Sequence, residues 1–304
     1  MGWEKSRLWK VFLPHKLFVA VGHLLKLLSS FPKDIRPLGF QSAWILLRLD
    51  IEHWLRSIFQ RTDLDRMPRS LVALHLKGYP HPLFIRRNSS DRFIVRQVFR
   101  QREYGSVPLM LPIRLFVDAG ANIGCASFYL LQQFPQAHAE VIEPDPENLV
   151  LCRQNLEPFA SRIRFRAQGV WPRSASLRLI KPAPGAELES TISVIECLPG
   201  ERGDVQSVSL DDVLAQQSQA EFDLVKMDIE GAERAVLEDL PAWLGSTRNL
   251  MIELHGPESR RVFEKVLTQF SADRTDSVGD VTVCAGWRPR PSLTSSRADA
   301  LASS

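Results

Sequence analysis

Cysteine is scarce in this chain, and no two cysteines lie close together. Cys125, Cys152, Cys197 and Cys284 stand singly, with no C-x-x-C pair. That leaves no disulfide framework to expect and reads as reduced, mostly buried thiols of a cytoplasmic protein. Neither Cys125 nor Cys152 has a base nearby in sequence, which favours core packing over a nucleophilic role. A long apolar run is also missing. Between Val11 and Phe31 the sequence is largely apolar, yet Pro14, Lys16, His23 and Lys26 interrupt it, and the longest stretch free of charge and histidine is Leu17 to Gly22. A spanning helix needs roughly twenty apolar residues, so this segment is not one. No small-x-small cleavage site follows Leu28, which disfavours a signal peptide. There is no internal repeat and no recognisable RNA- or DNA-binding module.

What the chain does have is an uneven charge. Its 304 residues carry a net charge of +3, but residues 1–112 hold 19 Lys and Arg against 8 Asp and Glu, and the remainder 19 against 27. A basic front therefore precedes an acidic body. The front reads as a mainly helical extension: helices over Trp3 to Ser29 and Gln41 to Gln60, then a hairpin of Leu71 to Leu76 and Pro82 to Arg86 about Gly78-Tyr79-Pro80, then a helix capped by Asp91 running to about Glu103. Leu17, Val21, Leu24, Leu25 and Leu28 fall on one helical stripe behind Lys5, Arg7, Lys10 and Lys16. Such a stripe docks on a core or lies in a membrane interface, and the first is expected here. The basic face pairs with the acidic domain or meets an anionic partner; peripheral membrane contact stays open and nucleic acid is not expected.

From Pro112 onward strands and helices alternate. Strands at Arg114 to Asp118, Ala139 to Ile142, Ile163 to Ala167, Phe222 to Met227 and Leu250 to Leu254 specify an α/β fold, a mostly parallel sheet doubly wound by helices. Residues 113–287 form this domain, with a final strand at Val281 to Gly286. Residues 288–304, rich in Pro, Ser, Ala and Arg, are expected to be a disordered tail. The interval Ser174 to Ser207 breaks the rhythm and reads as a hairpin insertion near the acceptor side.

The most informative stretch is Phe116 to Gly124, F-V-D-A-G-A-N-I-G. An apolar strand ends in Asp118, a glycine turn follows, and a helix starts at about Asn122. Ligands of doubly wound folds bind at such turns. Gly120 and Gly124 let backbone approach a ligand, and the helix start offers amides to a carboxylate. Asn122 caps the helix, touches the cofactor, or does both. A second strand ends in Glu143-Pro144, where a carboxylate can accept both ribose hydroxyls. A dinucleotide site wants glycine where Asn122 stands, and Asp118 would repel a pyrophosphate but suits an ammonium or sulfonium. S-adenosylmethionine is therefore the expected cofactor, and a nucleotide-cofactor oxidoreductase the weaker enzyme rival.

A second block, Glu221 to Glu233, reads E-F-D-L-V-K-M-D-I-E-G-A-E, and Ile252 to His255 reads I-E-L-H. With D-A-G-A-N-I-G, Glu143-Pro144, Ser209-Leu210-Asp211, and Asp91, Glu103 and Tyr104 ahead of the first strand, these motifs resemble the FkbM family of methyltransferases from about Ser90 to His255. The resemblance implies a class I, Rossmann-like methyltransferase fold, S-adenosylmethionine as cofactor, and usually O-methylation of a hydroxyl on a sugar or natural product.

In that topology the ends of the fourth and fifth strands face the acceptor and carry Asp228 and Glu230, and Glu253 and His255. Two mechanisms fit. Asp228 or His255 is the general base, or Asp228, Glu253 and His255 hold a divalent ion, magnesium or manganese, that acidifies the acceptor hydroxyl. Lys226 is expected to form a salt bridge, Glu233 to cap a helix, and Asn155 to cap the second helix. A non-catalytic cofactor-binding or membrane-peripheral scaffold is the rival from another class, against which the intact acids argue.

Overall fold

The computed structural model describes residues 8–59, 70–87, 89–105, 108–182 and 192–291. The chain divides into two compact units, Met1–Arg92 and Phe93–Ser304. The division falls inside a short helix rather than at Pro112, because the segment after Arg92 packs with the sheet domain: Phe99 meets Phe128 and Tyr129 edge-on at 6.2 and 6.3 Å, and Asn249 accepts from the Met110 amide at 2.8 Å.

In the first unit, α1 (Leu8–Leu38) and α2 (Phe40–Phe59) pair as a helical hairpin across Gly39. Helix α1 runs past the expected end at Ser29, because Leu24, Leu28, Phe31, Ile35 and Leu38 continue the i, i+4, i+7 stripe and Phe31 packs edge-on against Phe40 and Trp44, both at 5.8 Å. Its expected start at Trp3 lies outside the described residues, as do the side chains of the basic residues before Lys26. Strands β1 (Leu71–Leu74) and β2 (Leu83–Arg86) make the expected antiparallel hairpin. Asp91 does more than cap α3 (Asp91–Val95): it takes both Arg86 Nε and Nη2, at 3.0 and 2.8 Å, tying hairpin to helix. Among the described residues no helix is long and apolar enough to cross a membrane.

The second unit is an α/β sheet domain. In chain order it contains β3 (Leu115–Ala119), α4 (Cys125–Gln133), β4 (His138–Ile142), α5 (Pro146–Asn155), β5 (Ile163–Arg166), β6 (Gly169–Val170), β7 (Ser176–Ile180), β8 (Ser193–Glu196), β9 (Val205–Val208), α6 (Leu210–Ala215), β10 (Leu224–Met227), α7 (Glu233–Leu237), β11 (Asn249–Glu253), α8 (Gly256–Gln269), β12 (Phe270–Ser271), β13 (Arg274–Val278), β14 (Val281–Ala285) and β15 (Arg288–Pro289). Seven strands lie in the order β13-β14-β11-β10-β3-β4-β5, with β14 antiparallel to both its neighbours and the other six running the same way. Every residue of β3 and β10 is buried, as expected for central strands covered on both faces. Edge strand β13 carries no apolar alternation: Arg274 to Ser277 are all exposed. Its partner β14 recruits it, so nothing in its own pattern announces it. The tail beyond Pro291 lies outside the described residues.

The interval after β5 is a four-stranded sheet, β6-β9-β7-β8, larger than the expected hairpin. Its Gly169, Val170 and Val194 share a cavity wall with Glu143, and Asp228 and Glu230 line the same cavity. Residues 183–191 of its connection lie outside the described residues.

From β3 the chain turns one way to β4 and β5, and β10 returns on the other side. The β3/β10 border is thus the topological switch point, where a crevice opens beyond the carboxyl ends of the strands. Just beyond the two strand ends the backbones come into direct contact. Gly120 has φ +77°, and a Cβ there would overlap the Asp228 carbonyl oxygen. Gly231 has φ +100° with open space around it. Gly120→Ala is therefore expected to lower the unfolding free energy by about 3 kcal/mol or more, and Gly231→Ala by only about 1 to 2 kcal/mol of backbone strain. Urea titration checks the ranking, and equal losses would refute the close approach at Gly120.

Candidate active site

The turn after β3 is locked by a buried ion pair. Lys226 Nζ lies 3.0 Å from Asp118 Oδ1 and donates to the Gly120 carbonyl at 2.7 Å, while Ser127 Oγ donates to Asp118 Oδ2 at 2.6 Å. Burial alone would lower the Lys226 ammonium, but Asp118, Tyr104 and Asp228 together hold it above its ordinary range. Asp118 is fully buried and borders neither cavity of the crevice. The sequence places Asp118 against the cofactor; the structure sets it behind the turn with both oxygens engaged. Gly124 also stands away from the cavities. Its φ of +87° closes the turn, and a Cβ there would press on Cys152 and Leu156, so it serves the contact between α4 and α5. Asn122, with φ +51°, lies before the helix, which starts at Cys125 behind Gly124, so it does not cap α4. Asn155 Nδ2 reaches the Ile123 carbonyl at 2.9 Å and tethers the same turn.

Glu143 ends β4 and faces a small cavity lined also by Gly120, Asn122, Pro144, Gly169 and Val170. Its Oε2 accepts the Asn122 amide at 2.7 Å and its Oε1 the Asp145 amide at 2.9 Å. The Asn148 side chain adds a third hydrogen bond, and the lone-pair capacity left over can still accept from a hydroxyl. Burial pushes this carboxyl up to about 7, against the two amide bonds and the Asn148 bond that favour its charged form.

A second, larger cavity of about 430 Å³ shares Gly120, Asn122, Asp228 and Glu230 with the first and extends past Tyr104, Lys226, Glu253 and His255. Glu233 organises its floor. It is fully buried and accepts from the Ile229 amide at 3.1 Å, the Gly231 amide at 3.1 and 3.2 Å, and Ser259 Oγ at 3.2 Å. It also holds His255 Nδ1 at 3.1 Å. Its role is thus wider than the expected helix cap. His255 Nε2 faces Glu230 at 3.2 Å, Glu253 at 3.6 Å and Asp228 at 3.9 Å. Burial opposes the charge on His255, but the Glu233 bond and the Glu230, Glu233 and Asp228 carboxylates raise it to about 9. These acids favour the imidazolium form of His255, a donor to the carboxylates around it.

The structure brings Asp228, Glu230, Glu253 and His255 together, as their strand ends predict, and adds residues that sequence reasoning left out of the site. Glu103 and Tyr104 line the larger cavity from the turn after α3, and Asp280 and Arg260 stand at its margin. The alternation of Lys226 with Asp228 was a usable signal, whereas Glu103 had only its resemblance to a family position.

Crowding of the acids has a consequence for stability. Glu103, Glu143, Glu230 and Glu253 are each raised to about 7, burial being the first cause in every case. An unfolded Glu ionises near pH 4.5, so between about pH 4.5 and 7 the folded chain binds more protons, and stability falls as pH rises through that window. His255, held at about 9, loses its contribution as pH rises further. The ligand-free protein should melt lower at pH 8 than at pH 5, with the difference reduced in a Glu230→Gln/Glu253→Gln double variant. A melting temperature that climbs with pH over this range would contradict the crowding.

The family model described as the methyltransferase FkbM domain matches residues 118–276, over half of the chain. The methyltransferase sdnD of Sordaria araneosa is 29% identical over 202 residues, 56% of this chain and 77% of that protein. Among solved structures, the FkbM methyltransferase of Methylobacillus flagellatus KT aligns with a TM-score of 0.40 and 20% identity over 60% of this chain, which spans only 46% of that one. A methyltransferase of Geobacter sulfurreducens aligns with a TM-score of 0.35 and 18% identity, covering 64% and 88% of the two chains. A crevice at the switch point, an acid on the second strand and an acid-rich fourth-strand turn are what the matched region encodes: the chain belongs to the FkbM methyltransferase domain family and is an enzyme, a methyltransferase, for which the family implies S-adenosylmethionine as cofactor.

Proposed function

We propose that the chain is an O-methyltransferase acting on a hydroxyl of a sugar, glycan or natural product. The observation that carries this is Asp228. Its Oδ1 is buried and accepts no hydrogen bond among the described residues, at the border of the two cavities. Burial raises its carboxyl, Lys226 and His255 pull it down, and Glu233 and Asp118 raise it again. A carboxylate so placed is a stronger base than a solvated one and suits a hydroxyl proton.

S-adenosylmethionine, when bound, supplies a methyl group on a sulfonium, and the residues present fit it. Glu143 has lone pairs for the ribose, and Gly120, Asn122 and Ile229 line the passage from that lobe to Asp228. The chain's own work is then to orient the acceptor, exclude water and remove the proton. Asp228 takes the proton. His255 opposes the charge that develops, and Glu233 fixes its ring. Carboxyls at Glu103, Asp228, Glu230, Glu253 and Asp280 around the larger cavity would repel a phosphate backbone, which supports a small-molecule or carbohydrate acceptor over nucleic acid. In the first unit, exposed Leu25, Leu28, Phe40 and Trp44 beside Lys26, Lys33 and Arg48 support peripheral contact with an anionic membrane from the cytoplasmic side.

A second reading rests on one observation. Ligand atoms of Asp228, Glu253 and His255 lie within 4.8 Å of one another, close enough to share a divalent ion, and Glu233 on Nδ1 would orient a ligating imidazole. The ion would acidify the acceptor hydroxyl in place of the base.

Isotopically labelled S-adenosylmethionine, offered to panels of glycans and natural products, tests the activity; transfer to no hydroxyl despite cofactor binding would favour the scaffold. With an acceptor in hand, Asp228→Asn should abolish transfer and leave cofactor affinity largely intact. Full activity after exhaustive chelation would remove the metal, and loss restored by magnesium or manganese would establish it. Glu143→Gln should weaken cofactor binding by about 1.5 to 3 kcal/mol in calorimetry, the worth of hydrogen bonds to a charged group.

A further inference from the structure

An amino acid bound in this crevice needs a seat for its ammonium, and the acid the sequence offers for it, Asp118, is neutralised by Lys226 and Ser127. The other acids around the larger cavity are also engaged or open to water. Glu230 and Glu253 face His255 at 3.2 and 3.6 Å, Asp228 lies between Lys226 at 3.8 Å and His255 at 3.9 Å, and Asp280 is exposed.

Glu103 differs from all of them. It is 3% exposed, lines the cavity, and among the described residues has neither a hydrogen bond nor a cationic partner. The chain builds a specific place for it. After α3 the helix continues as a π-type turn, Arg96–Gln101, which Arg102 closes in the left-handed conformation at φ +57°, turning Glu103 and Tyr104 toward the cavity. A π-type turn of this kind commonly marks a functional position. On its far side the carboxylate rests on the backbone of Gly279, φ +61°, where a Cβ would collide with Oε1. Burial, then Glu253, Asp280 and Asp228, push this carboxyl up to about 7. A buried acid without a counter-ion is costly, and a bound cation offsets that cost.

The same cavity has a feature of opposite sign. Ala121, Asn122, Cys125 and Ala126 line it at the start of α4, a helix of nine residues whose dipole carries its positive end there. Helix amides face a carboxylate well. One end of the cavity thus suits an anion and the other a cation, the pattern of an amino acid zwitterion.

We infer that Glu103 binds the α-ammonium of S-adenosylmethionine, with the start of α4 receiving the carboxylate of the same amino acid end, an assignment that rests on S-adenosylmethionine being the cofactor. Glu103 is then a cofactor-binding residue that holds the donor's methionine end beside Asp228.

The test compares two ligands that do not turn over, S-adenosylhomocysteine and its deaminated analogue, which keeps the carboxylate and lacks the ammonium. Calorimetry on the full chain should show wild type preferring the amino form by about 10- to 100-fold, the range of a charge-assisted contact. In Glu103→Gln that preference should shrink to within about 3-fold, with the deaminated ligand bound as in wild type. Should Glu103→Gln fail to fold, Glu103→Asp serves instead, where a shorter reach should reduce the preference without changing affinity for the deaminated ligand. A preference unchanged in the variant would place the ammonium elsewhere, and equal weakening of both ligands would make Glu103 structural; either result overturns the assignment. A wild-type chain that binds neither ligand would instead strike at the cofactor itself.

Discussion

The buried pair of Lys226 with Asp118 is the interaction on which the crevice depends. It joins the two central strands where the topology reverses, and Lys226 adds a bond to the Gly120 carbonyl, so one ammonium fixes the end of β3, the glycine turn and the end of β10 together. Removing one partner of such a pair leaves an uncompensated buried charge, which costs about 3 to 5 kcal/mol. Lys226 is 3% exposed and Asp118 fully buried, so water cannot make good the loss. The pair also decides what the remaining charges are free to do. Because Lys226 is engaged and His255 sits on Glu233, the acids lining the larger cavity outnumber the cations that can answer them, and three of them are raised to about 7.

That imbalance separates the roles of residues that look alike in sequence. Glu230, Glu233 and Glu253 are all acids at strand ends or helix starts. Glu233 is held by two amides, a hydroxyl and the imidazole, and despite burial its carboxyl is lowered by those bonds. Glu230 and Glu253 receive no amide bonds and are raised. The first is thus a fixed anion that positions His255, and the others answer to whatever enters the cavity. Placement of the donors, not residue type, makes the difference.

The sheet was legible because its strands are apolar runs of the right length between turn signals, and the sequence-based ends of β3, β4, β5, β11 and β14 fall within one residue of the observed ones. Edge strand β13 was not legible, since its exposed polar residues carry no alternation and only the partner strand defines it. At the site, Asp228, Glu253 and His255 could be grouped from the side-chain period of two along adjacent strands. Gly120 lines both cavities, as its turn suggests, while Gly124 and Asp118 stand away from them. Glycine and buried acid were correctly linked to close approach and to charge, but what approaches Gly120 is the Asp228 carbonyl, and what answers Asp118 is Lys226. Pattern shows that a position is special; the partner that makes it so comes from far along the chain.

Two positions at the border of the cavities bear on how the site is held. Asn122 and Glu230 both adopt left-handed backbone, φ +51° and +54°, and both line the two lobes. Such conformations are uncommon outside glycine and cost on the order of 1 to 3 kcal/mol each, so the surroundings must impose them. They do: the Asn122 amide is drawn to Glu143, and the turn carrying Glu230 is clamped by the amides of Ile229 and Gly231 on Glu233. Glycine at either position would relax the backbone, but it would take away the side chain that lines the passage between the lobes. The acids Glu143 and Glu233 therefore act at one remove, each holding a turn whose strained residue stands between the two cavities.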